Sequence, residues 1–508
     1  MKHPPHQGNP RTWVKEIFVD ALRADGRTGF KLVLLSLLFM GILAVQWSSL
    51  RPAALKSQLD RLGLEYGAIA ASVMAGQGFA NPFGYMSGPT AWMPPGVVAV
   101  YILVFWVWGI KTYAAACALL LLKAAALTLA VGVLLQTVRA WDLSSYWRGL
   151  AVISVIAIFG RFDWLGLLDL DESLLILVSV LSLLCLAQLR QRRRPWHYLL
   201  MAALPLISPP LALGVGLVLV RRALKREQRA GLWLLLMMIM SVGGWTVRNR
   251  IVMGRVLPVK SNLWFEFFLS NPASPNGLLS TETLVREHPI HPENKAQMAS
   301  VGEIETCEAY ANTSKAWLRQ HPDRFALNVA ARAYSVFVRS YSGGYFRTTR
   351  RPVTPEDATV LQRADLLWVH RSHPTLQFWL YPELPEAEAM SMLQPLDLQN
   401  RQEAWQSWSL QMADRRAFEN QPGRVAQAIF YSLLPTLAIL IGLIRGGWRW
   451  PAFSEAVLLY LAYFLPYILV SYTQRYQISA LGLQIWLVWL FLLPAAARLK
   501  EPSIPLES

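Results

Sequence analysis

Residues 60–96 read DRLGLEYGAIAASVMAGQGFANPFGYMSGPTAWMPPG and directly follow the first long apolar run of the chain. They place an acid beside a tyrosine (Glu65, Tyr66), then a short helix pattern, then Gly76 and Gly78 in GQGF. Gly88-Pro89-Thr90-Ala91-Trp92 and the pair Pro94-Pro95 come next. Glycines and prolines at such positions shape a turn-rich loop. A plain connector between two membrane spans needs no such specification, whereas an outer loop that builds a reaction site does. No strand precedes GQGF and the spacing is not that of a P-loop, which excludes a nucleotide fold.

The rest of the chain sets this loop in a membrane. Of its 508 residues 54% are hydrophobic and only 16% charged, against about 25% charged in soluble domains. Several apolar runs reach the roughly 17–25 residues that cross a bilayer as helix. The alternation of a β-barrel is missing. The fold class is therefore an all-α polytopic membrane protein. The net charge of +16 lies mainly in short basic loops beside apolar runs, the positive-inside pattern. That reading excludes nucleic acid as the partner and leaves membrane lipids, whose anionic head groups such loops can attract. Cys117 and Cys185 fall in apolar runs and only Cys307 in a polar segment, so no disulfide framework is implied. No Cys/His cluster has zinc spacing.

Topology follows from the basic loops. Residues 1–29, with Lys2, Arg11, Lys15, Arg23 and Arg27, are expected in the cytoplasm, and the first run reads as a retained anchor. Span 30–48 leaves loop 49–95 outside. RQRRR at 190–194 and RRALKREQR at 221–229 are expected inside. The apolar residues between them, broken at Ser208-Pro209-Pro210, read as two short helices meeting at the outer face. Spans 113–137, 149–167, 174–189 and 231–247 complete an N-terminal module over 30–247, with a second outer loop at 168–173 and a cytoplasmic loop at 139–148. Parity makes 96–110 an interfacial or re-entrant helix. Residues 248–425 form a mixed extracytoplasmic segment, 426–497 hold three more spans (426–445, 453–471, 477–497), and 498–508 are a cytoplasmic tail. The total is about ten crossings.

Each candidate site residue has two readings. Glu65 is a solvated acid on an amphipathic interfacial helix, or a carboxylate that accepts a proton from a hydroxyl nucleophile. Asp60, five residues away, is off that face and reads as a solvated or capping acid. Asp169, Asp171 and Glu172 are helix N-terminal acids, or partners of Glu65 that could hold a divalent metal through oxygen ligands. Arg248 and Arg475 stand at outer span ends, where the positive-inside bias disfavours arginine. They snorkel to head groups or bind a lipid phosphate. Lys123 lies within an apolar run, snorkelling or paired in the bundle. The eight histidines form no Ser/His/Asp pattern.

Four blocks resemble the GT-C superfamily of membrane glycosyltransferases, within it the family-39-like enzymes of the aminoarabinose transferase and protein mannosyltransferase group. They are EYGAIAASVMAGQGFANPF with GPTAWMPP, DLDESLL at 169–175, GGWTVRNRIVMGRVLPVKSN at 243–262, and GEIETCEAYANTSKAWLRQHPDRF at 302–325. The resemblance covers most of residues 30–340 and, more loosely, the last three spans. It implies a transferase that moves a sugar from a polyprenyl-phosphate donor to an extracytoplasmic acceptor at the outer face of a bacterial inner membrane. By that resemblance Glu65 is the general base and Glu172 or Asp171 the second-loop acid. Arg248, Arg475 and Lys260 would bind the leaving phosphate, with Tyr66, Trp92, Asn249 and Tyr476 in the donor and acceptor loops. Attack opposite the leaving group predicts inversion through an oxocarbenium-like transition state. Many members carry Asp-Glu in the first loop, where this chain has Leu64-Glu65, a single acid. Segment 345–425 matches no block. A lipid-linked sugar transporter, or an inactive envelope scaffold, is the competing class. A transporter would place polar residues at mid-membrane depth.

Overall fold

The computed structural model describes residues 26–47, 55–140, 170–189, 194–224, 230–340 apart from 275–276, 280–282, 285–286 and 291, parts of 386–409, and 421–492 apart from 474. The expected span 149–167, most of the 139–148 loop, Asp169, the basic tracts at 190–193 and 225–229, residues 341–385 and the tail lie outside the described residues.

The principal helices are α1 (Gly26–Trp47), α2 (Leu64–Met74), α3 (Pro95–Trp108), α4 (Tyr113–Ala140) and α5 (Asp171–Gln188). They continue with α6 (Pro195–Ile207), α7 (Pro209–Leu224), α8 (Ala230–Met253), α9 (Leu263–Ser270), α10 (Pro292–Val301), α11 (Glu303–Gln320) and α12 (Pro322–Phe337). The last are α13 (Leu434–Ile444), α14 (Pro451–Leu469), α15 (Arg475–Ser479) and α16 (Leu481–Leu492). The described residues contain no β-strand; an isolated antiparallel bridge joins Ala80 to Pro89 in the first loop. The described residues of the 248–425 segment form helices joined by irregular turns. Four of these helices, over Tyr113–Gln136, Asp171–Gln188, Gly231–Met253 and Pro451–Leu469, are long and apolar enough to cross a membrane. The chain is an all-α membrane protein.

Burial sorts the helices. α5 is buried nearly all round, from Asp171 through Ala187, as expected of a helix that is apolar on every side. It packs between α4 and α16. α8 is the opposite case: Leu232, Trp233, Ile239 and Met240 are exposed on it, an apolar wall suited to lipid. α3 has 14 residues, about 21 Å of helix at 1.5 Å per residue, short of a roughly 30 Å hydrocarbon core. Ser208 breaks the chain between α6 and α7, as its two following prolines require. Before α13 the helix passes through a π turn, Ile429–Leu433, next to Pro435, whose missing N–H such a turn accommodates.

One boundary is corrected. The expected span end at 247 is not a helix end, because α8 runs to Met253. Nothing in Thr246–Ile251 breaks a helix, and the stop comes at Gly254, with φ 71°, where an L side chain would be strained. Arg248 and Asn249 are therefore helical residues. The segment after α8 also joins the main core: Leu278, Ala331 and Val336 pack with α5, α14 and α16. Arg332 of α12 is fully buried and donates to the carbonyls of Ser270, Gly277, Ile468 and Leu469. A guanidinium satisfied by carbonyls at helix ends welds this segment to the end of α14.

At the far end of α7, Arg222 donates to both carboxylate oxygens of Glu455 at 2.7 and 2.5 Å, and both residues are buried. Removing one partner leaves an unpaired buried charge, which costs about 3–5 kcal/mol, whereas replacing both by apolar residues is far milder. We expect Arg222→Met or Glu455→Leu alone to destabilise the protein by about that amount and the double variant to regain most of it, measured by unfolding in detergent micelles.

Candidate functional site

Stretches far apart in sequence enclose a cavity of about 600 Å³ whose largely apolar wall carries several charged groups. Its walls come from Gly63–Tyr66, Trp92–Pro94, the turn at 207–210, residues 258–266, and the segment from Pro466 to Ser479, with Asp171 and His288 added. Of the residues expected at the site, Glu65, Tyr66, Trp92, Asp171, Lys260, Arg475 and Tyr476 line it.

Glu65 lies in the first turn of α2. The expected amphipathic surface helix is corrected here: Gly67 through Ala70 and Ser72 are all buried, and α2 packs on α3, with Tyr66 stacked on Tyr101 at 6.2 Å. The turn before it is tight. Gly63 has φ 74°, and a Cβ there would lie 2.4 Å from the Tyr101 ring. Leu64 follows at φ 45°, a conformation that Asp or Asn adopts more readily than Leu. Leu64 is 38% exposed and lines the cavity, so an apolar side chain stands where the resemblance expects the second acid.

His288 meets Glu65, its Nε2 lying 3.2 Å from Glu65 Oε1. The Ile290 N–H donates to His288 Nδ1 at 3.3 Å, which puts the proton of the neutral ring on Nε2 and makes it the donor to the carboxylate. Burial pushes the Glu65 carboxyl up, but the His288 hydrogen bond and the nearby Arg475 charge more than offset it. The group ends below its ordinary value of 4.5. It is an ionised acceptor at neutral pH.

Arg475, which opens α15, donates to Asp171 Oδ2 and forms an ion pair with Glu172 Oε1. Both acids are almost completely buried in the first turn of α5. Arg475 is thus held by two carboxylates rather than standing ready for a phosphate, and the same contacts occupy the two described acids considered for a metal. Among the described residues no group of three or more His, Cys, Asp or Glu is arranged to hold a metal ion.

Three residues expected at the site, Glu172, Arg248 and Asn249, do not line the cavity. Arg248 does not line the cavity: its guanidinium donates to Thr90 O and Phe79 O, both at 2.9 Å, and lies 5.0 Å from the Trp245 ring. It grips the backbone of the first loop. Asn249 is fully buried and donates to Leu257 O at 2.8 Å, holding the turn after α8. As part of α8 both side chains point where helical geometry sends them, toward the loop and not the cavity.

Lys260 is the remaining cation of the cavity, close to Glu266 and Glu65. Burial pulls its pKa down while those carboxylates pull it back up. Trp92 packs 5.1 Å from Phe83 and 5.0 Å from Phe265, and Tyr476 stacks on Tyr467 at 3.9 Å.

Sequence reasoning did not single out His288, Glu266 or Glu303. His288 is 223 residues from its partner and has no local motif. Glu266 carries a legible signal, as the lone acid of the aromatic helix LWFEFFLS. Glu303 sits in a block quoted for the resemblance and proves to be the anchor of the first loop. Its Oε1 accepts from Ser261 Oγ (2.6 Å) and Ala91 N–H (2.9 Å), and its Oε2 accepts from the Thr90 hydroxyl. Burial raises its pKa, and these donors oppose the rise.

Fold and cavity together define an all-α membrane protein with a cavity whose wall carries Glu65, Asp171, Glu266, Lys260, Arg475 and His288. No protein-family model, curated protein or solved structure matches the chain.

Replacing His288 by Leu removes the hydrogen bond and leaves burial the dominant influence on Glu65. In the wild type the stability linked to Glu65 is present above its unfolded pKa and is lost as pH falls through the lower folded value. In the variant the Glu65 carboxyl moves up, and stability instead falls as pH rises through the raised folded value. Thermal unfolding of the purified protein across about pH 3.5–8 reads this change of slope.

Proposed function

We propose that the chain is an inner-membrane glycosyltransferase of the GT-C type, with about ten crossings and the cavity on the extracytoplasmic side. It moves a sugar from a polyprenyl-phosphate donor to a lipid, glycan or protein acceptor. The observation that carries this reading is the joining of two unlike spaces. The charge-bearing cavity shares Pro209, Leu213 and Val259 with an apolar groove of about 550 Å³ between α7 and α8, floored by Gly216, Leu217, Met238 and Ile239. A ligand with a charged sugar-phosphate head and a long isoprenoid tail fits that pair of surfaces.

The reaction follows from the residues. Glu65, ionised and oriented by His288, accepts the proton of the acceptor hydroxyl. The acceptor oxygen bonds to the anomeric carbon as the bond from that carbon to the phosphate oxygen breaks, with inversion. Polyprenyl phosphate leaves with the electron pair, and Lys260 faces the charge that develops there. Arg475 is taken up by its two carboxylates and offsets part of their negative charge beside the site. Asp171 and Arg475 stand at helix starts and Ser208 in a helix break, an end-of-bundle position that favours transfer over a transporter's mid-membrane site.

Purified protein in lipid nanodiscs with radiolabelled polyprenyl-phosphate sugars and extracytoplasmic acceptors tests the reading. Wild type transfers label and Glu65→Gln loses about 10²–10⁴-fold in rate. No transfer by the wild type, or full transfer by the variant, overturns it. The groove has its own test. A Cβ at Gly243 meets nothing within 4 Å, so Gly243→Phe folds normally while its ring occupies the tail path. We expect its KM to rise about tenfold for a long-chain donor and to stay unchanged for a donor with a two-isoprene tail.

A further inference from the structure

Glu266 is the cavity group that the transfer mechanism leaves without a task. It is the only charged residue of α9, whose Phe265, Phe267, Leu269 and Ser270 are buried. Its Oε2 is closed off from solvent and has no hydrogen-bond partner among the described residues, while Ser471 hydrogen-bonds the same carboxyl. Buried polar atoms in folded proteins are nearly always paired, and each exception needs a reason. A structural role would be served by a partner from the protein, as Glu303 has three and Glu455 has Arg222. Glu266 lines the cavity, and a carboxyl there that the protein leaves partly unsatisfied can meet a ligand hydroxyl.

Position says which ligand atom. Glu266 and Lys260 stand close enough to shift each other's ionisation. Both line the cavity, so if Lys260 faces the donor phosphate, Glu266 is placed to face the group bonded to that phosphate, which is the sugar ring. The wall beside it is aromatic, with Phe265, Tyr467 and Tyr476, a surface against which the apolar face of a sugar packs while its hydroxyls seek hydrogen bonds. Burial raises the Glu266 pKa, with Lys260 and His288 opposing. The carboxyl therefore gains a proton more readily than an exposed acid does.

We propose that Glu266 is a specificity-determining residue that reads the sugar of the donor, through a hydrogen bond between its carboxyl group and a ring hydroxyl. This rests on the glycosyl-donor reading above. The test measures binding by the full chain in nanodiscs of phosphatidylethanolamine and phosphatidylglycerol. The probes are undecaprenyl phosphate alone and a panel of undecaprenyl-phospho-hexoses and -pentoses. The wild type is expected to bind at least one glycosylated lipid more tightly than the bare phosphate. Glu266→Leu should lower that affinity about tenfold, the scale of one lost buried hydrogen bond, and leave bare-phosphate affinity within about twofold. Glu266→Gln, which keeps a donor and an acceptor, should recover most of the loss. Equal weakening for both lipids, no weakening for either, or a wild type indifferent to the sugar overturns the role of Glu266 alone. A wild type that binds neither lipid overturns the donor reading and this inference with it.

Discussion

The guanidinium of Arg475, held between Asp171 and Glu172, is the contact on which the architecture of the site depends. It joins residues 304 positions apart and brings the start of α5 against the start of α15. Two nearly buried carboxylates without that cation would carry a large desolvation cost, and the attraction offsets it only because both acids are addressed in good geometry. The contact sets the wall of the cavity shared by the two halves of the chain. It also divides the labour among the cations. Arg475 balances the acids, which leaves Lys260 as the positive group facing the open space.

The first loop is held from outside by a second constraint. Glu303 takes hydrogen bonds from Thr90, Ala91 and Ser261, and Arg248 takes the carbonyls of Phe79 and Thr90. Within the loop, Asn81 sits at φ 56° and accepts from the N–H groups of Ser87 and Gly88. A loop satisfied in this way at its buried polar groups is rigid without strands. Its rigidity is what presents Trp92 and Pro94 to the cavity beside Glu65. In the proposed transfer Glu65 is the base, and such a role needs this support, because misplacement of about 1 Å costs orders of magnitude in rate.

Much of this was legible in order along the chain. The apolar runs located α4, α5 and α14, and Ser208-Pro209-Pro210 located the break between α6 and α7, since helix formation and its interruption are local. Glu65, Asp171, Arg475 and Lys260 could be named because an ionisable side chain at the edge of an apolar run stands out. Arg248 looked the same by that criterion and was misplaced, because only its turn within α8 decides that it points to the loop. His288 and Glu303 were invisible in that sense: nothing within a few residues of either tells it apart from any other polar residue of a long polar segment.

The sequence alone determined a helical membrane protein, the breaks of its helices and a short roster of ionisable residues at their ends. These depend on hydrophobicity, on proline and on glycine, each read over a few neighbouring residues. The tertiary structure decided what surrounds the described members of that roster. It paired Arg475 with two acids, gave Glu65 a histidine and turned Arg248 into a loop clamp. Electrostatic and hydrogen-bond energies depend on separations of a few ångströms between groups that lie up to 304 residues apart, and only the packed chain sets those separations.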